Sequence, residues 1–237
     1  MANLIIDIGN TALKAAWCDG MTLGRTFRYQ GERMMDFIIS IVSESRPGIL
    51  VLSSVRNFSE QNINRLKNSC ERLLVVDEGV LSEYGLPLYI TPDRAASIIA
   101  SRYLFKGRGC SIFDLGTTLT VDFLDAEGNF EGGNISPGCR TRFKAINRYS
   151  RSLPLYPTPD NVSEKGNDIR SSIESGVISG IIFEISGYIS SYPENIVVFT
   201  GGDAIYFAKR MKNSIFVVCN LVLMGLALIA VDYDKKD

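Results

Sequence analysis

A chain of 237 residues, 46% hydrophobic and 22% charged, is long enough to bury a core as one large domain or two small ones. Its net charge of −1 gives no overall field that would recruit nucleic acid or an acidic membrane surface. It has no histidine, which excludes His-based triads, His-ligated metals and imidazole bases and leaves acid–base work to carboxylates, Lys, Tyr or Cys.

The opening stretch MANLIIDIGN has no basic region ahead of a long apolar run, so no secretory signal is expected. The longest apolar stretch, LVLMGLALIAV at 221–231, is too short to span a bilayer and reads as a buried helix. Five cysteines without a CxxC pair argue against a disulfide framework and against a zinc site. The expectation is a reduced, cytoplasmic protein with no membrane and no nucleic acid among its partners.

In chain order, residues 3–8 and 13–17 read as a hairpin, with Gly9 and Asn10 supplying a turn tolerant of positive φ. Apolar residues at helical spacing place a helix over 32–45, stopped by Pro47, and a buried strand follows over 48–55. A helix is expected at 59–73, a strand at 73–77, and a helix at 91–105 with Thr91 as N-cap and Pro92 at its first position. At Cys110 the pattern restarts with strand CSIFDL, a glycine turn, strand TLTVDFLD, a hairpin turn at 127–129 and then FEGGNISPG. A basic helix (139–150), a proline-containing loop (153–168) and a long helix (168–191) come next. The strand of VVFTGG (197–202) enters a glycine turn, and two last helices flank the strand SIFVV. Two halves that each open on an Asp-x-Gly hairpin predict two similar α/β domains, 1–109 and 110–237.

The repeated hairpin turn carries chemistry. Glycine removes the Cβ, so backbone N–H groups can approach a phosphate closely; a neighbouring Thr or Asn adds a donor, and an Asp at the strand end can hold a metal ion or its waters. Asp7-Ile8-Gly9-Asn10-Thr11 and Asp114-Leu115-Gly116-Thr117-Thr118 both meet this description. One such turn alone reads mostly as a plain hairpin, whereas a pair, one per half, suits a clamp on nucleotide phosphates. TGGDA (200–204) joins a strand to a helix as an adenosine-binding turn would. No GxxxxGK[ST] is present, so this is not a P-loop chain.

Arg140, Lys144, Arg148 and Arg151 fall on one helix face, which is either a solvated surface or an attractor of anionic ligands or weak nucleic-acid contact. The helix over 174–189 is apolar around much of its circumference, with small Gly176, Ser179, Gly180 and Gly187, and serves as core or as a subunit interface.

IDIGNT, DR before a helix, DLGTTLTVD, GGNISPG followed by RFKAI, LPL, ESGVISG, TGGDA and NLVLMGL occur in this order over nearly the whole chain. In this it resembles the type III pantothenate kinases, the Bvg accessory factor-like family of the actin, sugar kinase and Hsp70 superfamily. The resemblance implies an α/β fold of two similar ribonuclease H-like (actin-like ATPase) domains with a nucleotide cleft between them. It also implies ATP-dependent phosphorylation of the primary hydroxyl of pantothenate to 4'-phosphopantothenate, the first step of coenzyme A biosynthesis. The enzyme would be a homodimer using ATP, Mg²⁺ and a monovalent cation (K⁺ or NH₄⁺).

Carried over by position, the resemblance implies that Asp7, Gly9, Asn10, Thr11 and Lys14 bind ATP phosphate, with Asp7 and Asp114 at the metal. Gly116, Thr117 and Thr118 would form the second phosphate loop, Gly201 and Gly202 would lie at the adenosine, and Asp122 would hold the monovalent cation. Asp93 would be the general base on the substrate hydroxyl and Arg94 the grip on the pantothenate carboxylate, with Asp168 near substrate. Read without the family, Asp93 is an Asp in the first turn of a helix, favoured there by the helix dipole.

Two stretches depart from the family pattern. Where the family writes G-x-D-R, this chain has Thr91-Pro92-Asp93-Arg94, so either Thr91 replaces the glycine or the approach to Asp93 is shortened. Asn167-Asp168 stands where the family has Asn-Thr, and a carboxylate beside an anionic substrate is unfavourable unless it points away. These departures leave two other readings open: a catalytically weakened member acting as a regulatory or accessory binding protein, and a kinase for another small hydroxylated substrate.

Overall fold

The computed structural model describes residues 2–236, which form two units: residues 2–104 together with 220–236, and Phe105–Cys219. The first unit runs β1 (Asn3–Ile8), β2 (Leu13–Asp19), β3 (Thr22–Tyr29), α1 (Met34–Glu44), β4 (Ile49–Ser54), α2 (Glu60–Ser69), β5 (Arg72–Val75), α3 (Glu78–Glu83) and α4 (Pro92–Leu104). The second runs β6 (Cys110–Leu115), β7 (Thr118–Leu124), β8 (Phe130–Pro137), α5 (Cys139–Tyr149), α6 (Ile169–Ser191), β9 (Ile196–Thr200), α7 (Ala204–Ala208) and β10 (Ile215–Val217). The last helix, α8 (Leu221–Asp234), returns to the first unit.

Each unit holds a mixed five-stranded sheet, and the two sheets have the same order. The first is β3-β2-β1-β4-β5 and the second β8-β7-β6-β9-β10. In both, the first three strands in sequence form an antiparallel meander and the fourth pairs parallel with the first. The repeated Asp-x-Gly turns therefore sit at equivalent places, each between the first two strands of its sheet. The expected α/β architecture of two similar halves is what the chain adopts.

β1 carries the apolar run Leu4–Ile6 because helices cover both faces of its sheet. Leu4, Ile6 and Ile8 pack with Ile38 and Ile41 of α1 and Leu66 of α2, while α8 packs against β1 and α4 against β4. In the second unit Phe113, Leu115, Leu119, Val121 and Phe199 meet Phe143 of α5, Ile178, Ile181 and Ile185 of α6, and Phe207 of α7. Side chains alternate across a strand, so Asp114, Thr120, Asp122 and Thr200 lie on the face of the second sheet turned away from that core.

The sequence boundary at 109/110 needs correction at both ends. The units part at 104/105, and α8 belongs to the first unit rather than to 110–237. The cause is packing: α8 is apolar on nearly every side, and α4 is buried from Arg94 to Ser101. The helices approach so closely that a Cβ on Gly225 would stand 1.9 Å from the carbonyl oxygen of Ala96, so only glycine fits there.

The structure also adds β3, a largely exposed edge strand with polar Thr22, Arg25, Thr26 and Arg28, and the six-residue α3, capped by Asp77 accepting from the Val80 N–H at 3.1 Å. Cys70 takes an extended backbone, so α2 ends at Ser69, short of the expected 73. Among the described residues no helix is long and apolar enough to cross a membrane.

Candidate functional site

Asp7, the penultimate residue of β1, has only 7% of its surface exposed, and its carboxylate accepts a hydrogen bond from the Ser53 hydroxyl at 3.1 Å. Register explains the meeting: Asp7 faces Ser53 across β1–β4 and Lys14 across β1–β2, so the three side chains share one sheet face. The following turn is closed by the Gly9 N–H donating to the Ala12 carbonyl at 3.1 Å. The Arg56 guanidinium donates to the Asn10 carbonyl and holds the turn from outside, while Asn10 and Thr11 stay exposed.

The second unit repeats the arrangement. Asp114 faces Thr200 across β6–β9 and Thr120 across β6–β7, so Thr200 stands where Ser53 stands in the first sheet. Its turn is closed by the Gly116 N–H donating to the Thr118 carbonyl at 3.0 Å, with Thr117 and Thr118 exposed. The loop after β9 folds onto this turn: the Asp203 N–H donates to the Leu115 carbonyl at 2.9 Å. Gly201 has φ +91°, and a Cβ there would lie 2.4 Å from an Asp114 carboxylate oxygen. The structure thus brings Asp114, Gly116, Thr117, Thr118, Gly201 and Gly202 together. Asp122, 2% exposed, lies two residues along β7 from Thr120 on the same face.

Asp93 and Arg94 occupy the first turn of α4, where the helix starts at Pro92 and the Ala95 N–H donates to the Thr91 carbonyl at 2.9 Å. Asp93 Oδ1 accepts the Arg94 N–H at 2.9 Å, while its other oxygen has no partner among the described residues. Arg94 is buried.

Asp168 stands apart, on the helix-covered side of the second sheet. It is the N-cap of α6 in a reciprocal capping box: its carboxylate accepts the Ser171 N–H at 2.7 Å and the Ser171 hydroxyl at 2.8 Å. The bonds from Ser171 hold its carboxyl below the usual range. Its charge is engaged by its own helix. Asp168 borders an open, mostly apolar cavity of about 920 Å³ between α5 and α6, lined also by Arg142, Ile146, Leu153 and Ile173.

Burial pushes the Cys18 and Cys110 thiols up to about 11, which removes them from acid–base work near neutral pH. Among the described residues no group of three or more His, Cys, Asp or Glu side chains forms a metal cage. Mg²⁺ does not require one, since it is commonly bound by one or two carboxylates together with substrate phosphates and water. One carboxylate at each turn fits that mode.

Sequence reading missed Ser53, Thr200, Arg56 and Asp203. Ser53 and Thr200 become visible only once strand pairing sets them beside Asp7 and Asp114. Asp203 is hidden within TGGDA; it borders a small gap with Gly116, Gly138 and Cys139, and burial holds its carboxyl above the usual range.

The family model for type III pantothenate kinase matches residues 3–191. A type III pantothenate kinase of Phocaeicola vulgatus is 38% identical over 245 residues, covering 98% of this chain and 99% of the relative. That of Azobacteroides pseudotrichonymphae is 35% identical over 240 residues, with 98% and 97% covered. Among solved structures, a Campylobacter jejuni protein described as a Baf family transcriptional activator superposes with a TM-score of 0.66 at 21% identity, over 98% of this chain and 99% of that one. MreB5 of Spiroplasma citri bound to ADP gives 0.54 at 13% identity, over 99% and 98%. At such identities the likeness concerns the fold, which is that of the actin-like ATPases.

Proposed function

With the chain's membership of the type III pantothenate kinase family as premise, we propose that it phosphorylates pantothenate to 4'-phosphopantothenate with ATP, opening coenzyme A biosynthesis. The observation that carries the reading is the duplicated acidic glycine turn, found at equivalent places in two sheets of identical strand order, with the Gly201–Gly202 loop folded onto the second. Phosphoryl transfer asks a protein mainly for positioning and charge neutralisation, and paired phosphate loops supply both.

In this reading Gly9, Asn10, Thr11 and Lys14 meet ATP phosphate from the first turn, and Gly116, Thr117 and Thr118 from the second. Gly201 and Gly202 lie against the adenosine. Asp7 and Asp114 hold Mg²⁺, which neutralises phosphate charge when bound. The buried carboxylate of Asp122 takes the monovalent cation. Asp93, through its unengaged oxygen, accepts the proton of the pantothenate primary hydroxyl as the hydroxyl oxygen bonds to the γ-phosphorus and the bond from that phosphorus to ADP breaks. Arg94 grips the pantothenate carboxylate, and Asp168 borders the substrate with its charge turned into Ser171. The protein acts in the cytoplasm as a homodimer. The apolar α6 supports that assembly: Phe183 is 72% exposed, and the space over Gly176 and Gly187 is open.

The engagement of Asp93 Oδ1 by its own helix favours a second reading, a member that binds nucleotide without efficient turnover. ADP release by the purified protein with ATP, Mg²⁺ and K⁺, with and without pantothenate, decides between them. Pantothenate-dependent release is expected; ATP binding without it would favour the second reading.

A further inference from the structure

α5 begins directly behind the Gly116–Thr118 turn and is braced there. The Arg142 N–H donates to the Gly138 carbonyl at 3.0 Å, closing the helix's first turn. The Arg142 side chain donates to the Pro137 carbonyl at 2.8 Å and to the Ser136 hydroxyl at 3.2 Å, and pairs with Glu184 of α6. From this support two donors converge on one acceptor. The Gly138 N–H reaches the Thr117 carbonyl at 3.1 Å, and the Thr141 hydroxyl reaches the same oxygen at 2.6 Å.

A carbonyl oxygen has two lone pairs, and these two donors occupy both. In a planar trans peptide the C=O and N–H point in opposite directions. Fixing the Thr117 carbonyl against α5 therefore turns the Thr118 N–H away from α5. A flip of this peptide would swap a donor for an acceptor on the outer side of the turn, where an oxygen would repel an anionic phosphate. With both bonds in place, the flip costs two hydrogen bonds instead of one.

We propose that Thr141 is a positioning residue for ATP: its hydroxyl locks the Thr117–Thr118 peptide so that the second phosphate loop presents donors rather than an acceptor to the nucleotide. The inference rests on reading Gly116–Thr118 as a phosphate loop. It concerns neither pantothenate binding nor proton transfer, so it affects one substrate only.

The test compares Thr141→Val, which keeps the shape and removes the donor, with Thr141→Ser, which keeps the hydroxyl. Expected is a rise of about three- to tenfold in KM for ATP for Thr141→Val, the worth of one ordinary hydrogen bond. KM for pantothenate should stay at the wild-type value, and Thr141→Ser should restore most of the ATP affinity. A purely structural role would not split the two KM values or be rescued by serine. Unchanged KM for ATP in a folded Thr141→Val protein, with its melting temperature near wild type, overturns the inference. Calorimetric titration with ATP separates the two levels of the argument. Absence of pantothenate-dependent turnover in wild type counts against the kinase reading, while weaker ATP binding by Thr141→Val still supports the lock and equal binding overturns it.

Discussion

The Ser53 hydroxyl donates to the Asp7 carboxylate at 3.1 Å, joining two residues 46 positions apart at the buried end of the first acidic glycine turn. Asp7 is thereby oriented in part by a neighbouring strand. Asp7→Asn should lower kcat/KM for ATP by about 10²- to 10³-fold, the range seen when one preorganised charge-stabilising group is removed. Ser53→Ala, which leaves the carboxylate but loosens it, should cost only about two- to tenfold. Steady-state kinetics on both variants checks the order; a Ser53→Ala loss equal to that of Asp7→Asn would contradict it.

Asp93→Asn keeps the acceptor for the Arg94 N–H but removes the carboxylate proposed as the base. Turnover should fall by about 10²- to 10⁴-fold while ATP affinity stays within twofold or so of wild type. Single-turnover kinetics alongside calorimetric ATP titration measures the two separately. Unchanged turnover would remove Asp93 from the proton transfer.

Gly201→Ala forces a side chain into a backbone region that favours glycine and presses its Cβ against the Asp114 carboxylate and the Leu115 carbonyl. The loop should shift, with a stability loss of about 1–3 kcal/mol and weaker ATP binding. Chemical denaturation and nucleotide titration read the two effects, and unaltered ATP affinity would place the adenosine elsewhere.

Asp168 supplies a pH signature. Its folded-state carboxyl lies below its ordinary value because Ser171 donates to the ionised form. A depressed folded pKa stabilises the protein above the unfolded value, and the gain is lost as pH falls through the folded one. The melting temperature of wild type should therefore exceed that of Asp168→Ala at neutral pH, and the gap should close on acidification below the ordinary carboxylate range. Asp168→Asn should retain part of the cap at every pH. Thermal melts across an acid series check this; a gap independent of pH would assign the effect to something other than the ionised cap.

Much of this was legible in the sequence where the signal is local. The hairpins around Gly9 and Gly116 announce themselves through alternating apolar residues broken by glycine, and α4 through its threonine, proline and helical spacing. What depends on distant pairing was not. β3 shows no apolar run because an exposed edge strand buries little. α8 is apolar all round, which declares burial without saying against what. Ser53 and Thr200 are ordinary strand residues until register sets each beside an aspartate. Thr141 lies in a stretch that reads as a basic amphipathic helix, and nothing in that charge pattern marks its bond to Thr117.

The return of α8 to the first unit has a consequence for the order in which the protein can be built during synthesis. The second unit is one continuous segment, Phe105–Cys219, whereas the first needs residues from both ends of the chain. A nascent chain stopped after Cys219 holds every residue of the second unit, while the α4 surface around Ala96 that Gly225 should cover stands open to water. The half that starts first is therefore finished last, and only when the final helix emerges does the segment carrying Asp93 and Arg94 gain its full packing.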